Sequence, residues 1–286
     1  MALSYYTITK SQEELGESLR PYQNPTGNND DKSVTMEELA EKAKEFRFIP
    51  YHRPNGTPDL IKKFLYYDIP VMTRTMLEEN SDIGHYRLVK GYDDATGEFI
   101  QDDSLQGHNL RYSYGLFTSL WHKFNYEYLI LVPSDKEPII KNLLGEDADL
   151  RVSWQKAVHQ MEKELLVTPD DMYDHFNLSV ALFHTGDYGK SISEFEKVET
   201  ILPFRMLWYQ IEPILAYVAV GNYEKVFRMT DAIFTNNNRA YAELYILRGD
   251  IYKTQGKSEE AKSEFEKAVY YNKNLKSATT ALKSLQ

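Results

Sequence analysis

The spacing of apolar positions changes character along the chain. It begins as short helical stripes that open at recognisable starts. Ser11 to Glu14 (SQEE) and Thr35 to Glu38 (TMEE) each place a hydroxyl three residues ahead of a Glu, the arrangement in which each side chain satisfies the other residue's backbone N–H. The second opens the amphipathic run MEELAEKAKEF. Thr57 and Pro58 supply an N-cap and a first-turn proline for DLIKKFLYY. Between the first two helices lies QNPTGNNDDKS, a polar stretch rich in turn formers. From Ile69 the period falls to two. IPVMTR, HYRLVKGY, EFIQD and YEYLILV are rich in β-branched and aromatic residues, and DDATG separates the second from the third. Residues 1–133 are therefore predicted to form an α+β domain with a mainly antiparallel sheet.

Residues 134–149, SDKEPIIKNLLGEDAD, combine charge, Pro and Gly and are predicted as a linker. Residues 150–286 are helical and repetitive. Gly186, Gly221 and Gly256 recur at a spacing of 35, and apolar or small slots recur around them. Four before each Gly stand Leu182, Tyr217 and Tyr252; five after stand Ser191, Val226 and Ala261; twelve after stand Val198, Ile233 and Ala268. Nine after, Phe195 and Phe265 match while the middle unit has Thr230. This pattern resembles the tetratricopeptide repeat. Its third unit, with Gly249, Tyr252, Gly256, Ala261, Phe265 and Ala268, carries the resemblance best. Pro213 predicts a kink or a late helix start in the middle unit, because an interior Pro costs about 3 kcal/mol. RVSWQKAVHQMEKELL and SATTALKSL are predicted as the capping helices.

Composition narrows the function classes. The 286 residues carry a net charge of -10, which argues against nucleic acid and anionic lipid as partners. No apolar run approaches the roughly 20 residues of a membrane span. There is no cysteine, so the chain offers no disulfide, no thiolate metal site and no Cys nucleophile. MALSYYTITK lacks the basic and apolar regions of a signal peptide. His52, His108, His122, His159, His175 and His184 are scattered, with no HExxH or close His/acid spacing, so no metal is assigned. No Walker A or GxGxxG stretch calls for a nucleotide, and no cofactor is expected.

Candidate chemistry sits in GHYRLVKGYDDATGEFIQDDS, residues 84–104. If the turn is centred near Ala95, paired residues sum to about 190, and His85 and Asp103 share one face, offset by two. A one-residue change in the turn would substitute Asp102. Such an Asp fixes an imidazole's tautomer and stabilises its cation; the plainer alternative is a surface His beside a solvated acidic turn. The hairpin resembles the C39-like peptidases, a papain-like cysteine peptidase fold. The match includes the H-Y-x-x-V-x-G-Y-D-D strand, the Asp103-Ser104 pair, FNYEYLILVP, and IPVM with Asp68 where the family usually has Gly. The whole chain resembles proteins that join this domain to tetratricopeptide repeats.

The resemblance implies His85 as general base, Asp103 as its orienter, and a Cys in an N-terminal C-G-P-(A/S)-x-x-x-M-x-L-x-Y-Y motif. Met1, Leu3, Tyr5 and Tyr6 match only the tail of that motif. The expectation is a C39-like domain incomplete at its N-terminus, either truncated or a natural pseudo-peptidase, and inactive as written. The family's activity is thiol-mediated peptide hydrolysis. The alternative is a non-catalytic platform carrying a repeat module for a peptide or protein partner. Family members are often exported or membrane-anchored through an upstream segment, so compartment stays open.

Overall fold

The computed structural model describes residues 1–26, 33–236 and 238–285. Two compact units emerge: Met1–Thr9 with Thr35–Met206, and Lys10–Val34 with Leu207–Gln286.

The first unit opens with a single helical turn, α1 (Ala2–Tyr5). The chain then contributes α2 (Gln12–Leu19) to the second unit and returns with α3 (Met36–Lys44). Both helices form the expected reciprocal capping boxes, Ser11 with Glu14 and Thr35 with Glu38. In the loop expected between them, residues 27–32 lie outside the described residues. Next come β1 (Ile49–Arg53), α4 (Pro58–Tyr66) capped by Thr57, β2 (Val71–Met76), β3 (Gly84–Asp93), β4 (Glu98–Asp103), β5 (Gly107–Ser113), α5 (Tyr114–His122) and β6 (Tyr128–Val132). The six strands form one antiparallel sheet in the order β1-β6-β2-β3-β4-β5.

β6 lies between β1 and β2 and is buried on both faces, which is why YLILV is a continuous apolar run. Its alternate residues enter two cores. Tyr128, Ile130 and Val132 join Val71, Val89 and Phe99 beneath α4 and α5, through Ile61, Phe64, Phe117 and Trp121. Leu129 and Leu131 join Met36, Ala40 and Ala43 of α3, with Ala2, Leu3, Tyr6, Met72 and Tyr86 packed alongside. Tyr6 also donates its hydroxyl to the Leu131 carbonyl at 2.7 Å. Asp68 has φ 53°, a left-handed conformation that glycine adopts without strain and an L-residue does not.

The segment expected as a linker is a packed part of this unit. It forms α6 (Glu137–Leu144) and a short 3-10 turn, Gly145–Ala148. Ile140 and Leu144 are buried in the same core as Trp121 and Ile130. The Pro and charges that suggested a linker instead supply a first-turn Pro138 and an exposed helix face. α7 (Leu150–Leu165) follows, then the first repeat hairpin, α8 (Met172–Thr185) and α9 (Tyr188–Val198). These two helices approach closely through Ser179 and Ser191, whose hydroxyls each donate to the other's backbone carbonyl at 2.7 Å.

α10 (Met206–Tyr209) straddles the division between the units. The second unit contains α11 (Glu212–Ala219), α12 (Tyr223–Thr235), α13 (Ala242–Thr254), α14 (Ser258–Tyr271) and α15 (Lys276–Lys283). Pro213 sits in the first turn of α11, so the late start is what the backbone adopts. The three repeat glycines, Gly186, Gly221 and Gly256, have φ of 87°, 76° and 72°. Each turns the chain between paired helices in a conformation L-residues resist. Gly249 serves closeness instead: a Cβ there would lie 2.3 Å from the Phe265 ring.

Candidate functional site

β3 and β4 bring His85 and Asp103 together. Arg87 pairs with Asp103 across the hairpin, a sum of 190, and the register shifts only beyond Val89. His85 is two residues earlier on the same face of β3. Its Nε2 lies 2.9 Å from Asp103 Oδ1. Asp102 points to the other face, where Lys90 Nζ is 2.6 Å away and the Asn109 N–H donates to it at 2.9 Å. The alternative register with Asp102 is thus not the one adopted.

Asp103 is held from several sides. Its Oδ1 also accepts the backbone N–H groups of Leu105 and Gln106 at 2.7 and 2.8 Å, so the β4–β5 turn is built around this carboxylate. Oδ2 faces Arg87 Nε at 3.4 Å, an ionic contact rather than an aligned hydrogen bond. Burial on its own would raise the Asp103 pKa. The two turn amides and His85 outweigh that and hold it below the ordinary carboxylate value. The ring of His85 is 19% exposed while the Asp103 side chain is fully buried. With Nε2 engaged by the carboxylate, Nδ1 is the nitrogen left for a second partner.

No motif in the sequence marks Arg87, although its period-two relation to His85 places it on the same face. Its guanidinium is fully buried. It donates to the Thr75 hydroxyl, to the Met76 and Leu77 carbonyls, each at 2.8 Å, and to Gln106 Oε1 at 3.0 Å. The Tyr112 ring lies 5.0 Å from its central carbon. One buried cation therefore ties the end of β2, the β3 strand and the β4–β5 turn behind the His–Asp pair.

The other histidines are accounted for by their surroundings. His52 meets Glu127 at 2.8 Å, His175 meets Glu194 at 2.7 Å, and His184 stacks on Trp154 at 4.0 Å. His108 and His159 are exposed. His122 is different. Its Nε2 lies 2.5 Å from Asp174 Oδ1 and 3.2 Å from Glu164 Oε2. Among the described residues this is the one group of three side chains with metal-ligating chemistry close together. No spacing rule could find it, because α5, α7 and α8 each supply one member. Burial lowers the His122 pKa, but hydrogen bonds and charge from Asp174 and Glu164 carry it up to about 9. A cationic imidazole between two carboxylates accounts for the geometry without an ion. Trp121, beside it in sequence, is core: its indole is fully buried and donates to the Glu127 carbonyl at 2.6 Å.

No helix among the described residues is long and apolar enough to cross a membrane. The sequence model of the Peptidase_C39 like family matches residues 1–129, and that of the tetratricopeptide repeat matches residues 242–275. No curated protein matches the chain. Among solved structures, MamA is similar at 16% identity over 47% of this chain and 78% of its own, with a TM-score of 0.42. A thermophilic tetratricopeptide protein of Thermus thermophilus is similar at 19% identity over 46% of this chain and 73% of its own, with a TM-score of 0.38. The antiparallel sheet with its His–Asp hairpin and the glycine-turned helix pairs fit the two family matches, and the chain joins a Peptidase_C39-like domain to tetratricopeptide repeats.

Proposed function

We propose that the first domain retains the base half of a thiol peptidase site, His85 as general base and Asp103 as its orienter, and that the helical repeats bind a peptide or protein partner. The observation that carries the first part is the 2.9 Å contact between His85 Nε2 and a fully buried Asp103. That contact fixes the tautomer in which a neutral Nδ1 accepts a proton. A papain-like site pairs such a nitrogen with a thiol. No cysteine occurs among the 286 residues, so they hold a base and an orienter without a nucleophile. On this reading the chain by itself does not hydrolyse peptides. It acts as a peptidase-like platform for the repeats.

A reconstruction tests the site. The chain is extended ahead of Met1 by C-G-P-A and three further residues, lengthening α1 by about two turns. The new thiol should react with iodoacetamide near neutral pH faster than a free cysteine, because an adjacent imidazole stabilises the thiolate. His85→Ala in the same extended chain should slow labelling by about a hundredfold or more. Equal labelling with and without His85 sinks the assignment. For the repeats, full-length protein should retain a bound partner after His85→Ala, since that change leaves the helical hairpins untouched.

A further inference from the structure

The second unit contains a contact that neither family match assigns. Residues 11–22 leave the sheet domain's run of sequence and lie against the last repeat. At the end of α2 the carbonyls of Glu17, Ser18 and Leu19 lack intrahelical donors, as the last carbonyls of any helix do. Two asparagines supply them, and Arg20 Nη1 also donates to Leu19 O at 2.8 Å. Asn272 Nδ2 donates to Leu19 O at 2.9 Å, and Asn274 Nδ2 donates to Glu17 O at 2.9 Å and Ser18 O at 3.2 Å. Beyond the helix, Arg20 pairs with Glu243 at 3.2 Å, and both side chains are largely shielded from solvent. Two residues later Tyr22 packs on Tyr271 and Tyr270, with ring centroids 5.0 and 5.8 Å away. The receiving residues come from the start of α13, the end of α14 and the turn before α15.

Two features set this contact apart from ordinary packing. α2 has eight residues and none is buried. A helix that short does not hold itself together in water, and its apolar face is one half-buried pair, Leu15 and Leu19. Beyond that pair, what holds it is the polar recognition of its C-terminal end and the Arg and Tyr that follow. Recognition that is chiefly polar and peripheral forms a separate, weakly held unit that can open without the core.

We propose that this edge of the last repeat is a docking site for a short helix ending in Arg-x-Tyr, and that residues 11–22 are its tethered occupant. An external partner with the same chemistry binds by displacing them. The partner's helix end meets Asn272 and Asn274, its Arg meets Glu243, and its aromatic residue meets Tyr270 and Tyr271. The proposal rests on the reading of the repeats as a binding module and names the surface and ligand chemistry. Tethering gives the resident segment an effective concentration in the millimolar range, so the unmodified chain should resist a free competitor.

The test uses a fluorescent peptide, KSQEELGESLRPYQ, copied from residues 10–23. The receptor is the full chain with residues 10–26 replaced by Gly-Ser of equal length. This receptor should bind the peptide saturably, and Asn272→Ala with Asn274→Ala should weaken binding by about tenfold or more. The unmodified chain should bind it far more weakly. A receptor that melts cooperatively yet takes up no peptide overturns the proposal. Should the replacement unfold the receptor, a charge reversal in the intact chain decides. Arg20→Glu should open the site to the peptide, and Arg20→Glu with Glu243→Arg should close it again; equal uptake by both overturns the proposal. If the peptide binds as described but no external protein is ever retained, the broader binding-module reading fails while this contact stands.

Discussion

Replacing His122 with Gln should remove a pH-dependent part of the first unit's stability. His122 lies on α5 and meets Glu164 on α7 and Asp174 on α8. Each carboxylate is steadied from behind. Tyr126 and Gln160 donate to Glu164 Oε1 at 3.2 and 2.6 Å, and Thr168 donates to Asp174 Oδ2 at 2.9 Å. The imidazole pKa is held at about 9 in the folded protein against 6.5 ordinarily. Because the folded value is the higher one, the protonated pair stabilises the fold fully below pH 6.5. That stabilisation disappears as pH rises through about 9. The interval corresponds to about 3 kcal/mol at most, at about 1.4 kcal/mol per pH unit. Its side chain is 20% exposed, so little solvent screening reduces that figure.

The assay is urea unfolding of native protein and His122→Gln at pH 6 and pH 9.5, with NMR titration of the His122 ring. Native protein should lose up to about 3 kcal/mol more than the variant between those pH values. The ring should titrate near pH 9. Tyr126 does not confuse the window, since its raised pKa moves its own loss of stability above the ordinary tyrosine range. A His122 ring that titrates near 6.5, or equal pH dependence in the two proteins, refutes the reasoning.

Other outcomes follow from particular contacts. Gly249→Ala should destabilise the second unit by about 1–3 kcal/mol despite alanine's better helix propensity, because the Phe265 ring occupies the space a Cβ needs; thermal melting checks it. Asp68→Gly should be neutral or stabilise slightly, by about 1 kcal/mol at most as read by thermal melting, since Asp68 has φ 53° and its side chain is 82% exposed. A loss of stability there would show that Asp68 makes a contact worth more than its backbone strain. Arg87→Met should cost about 3–5 kcal/mol by leaving Asp103 buried without its ionic neighbour, as read by urea unfolding. Arg87→Lys should restore little, because an ammonium cannot reach the Thr75, Met76, Leu77 and Gln106 acceptors together.

What could be read from sequence was what local rules determine. The capping boxes at Ser11 and Thr35 depend on four residues each. The His85–Asp103 pairing depends on one hairpin, and the repeat glycines on a fixed period. β1 and β5 carry no strand signal in the sequence, for physical reasons. β1, IPYHR, carries a proline and lies at a sheet edge, and β5, GHNLRYS, lies at the other edge with no buried residue. Neither shows the apolar alternation by which a strand is recognised. α6 reads as a linker in the sequence because only Ile140 and Leu144 of its residues are buried. The His122 group and the docking of α2 depend on contacts between distant helices, and no short-range pattern encodes those.

The detour of residues 11–22 into the second unit has a consequence for how the protein is made. Leu19 meets Asn272, 253 positions later. During synthesis, α2 leaves the ribosome long before the asparagines that donate to its end exist, and the flanking residues, Met1–Thr9 and Thr35–Met206, can assemble before α2 is docked. Contacts of such large sequence separation form slowly, because loop closure must come first. The segment is therefore the natural candidate for the last part of the chain to settle. Until then it is exposed to proteases and free to meet other molecules.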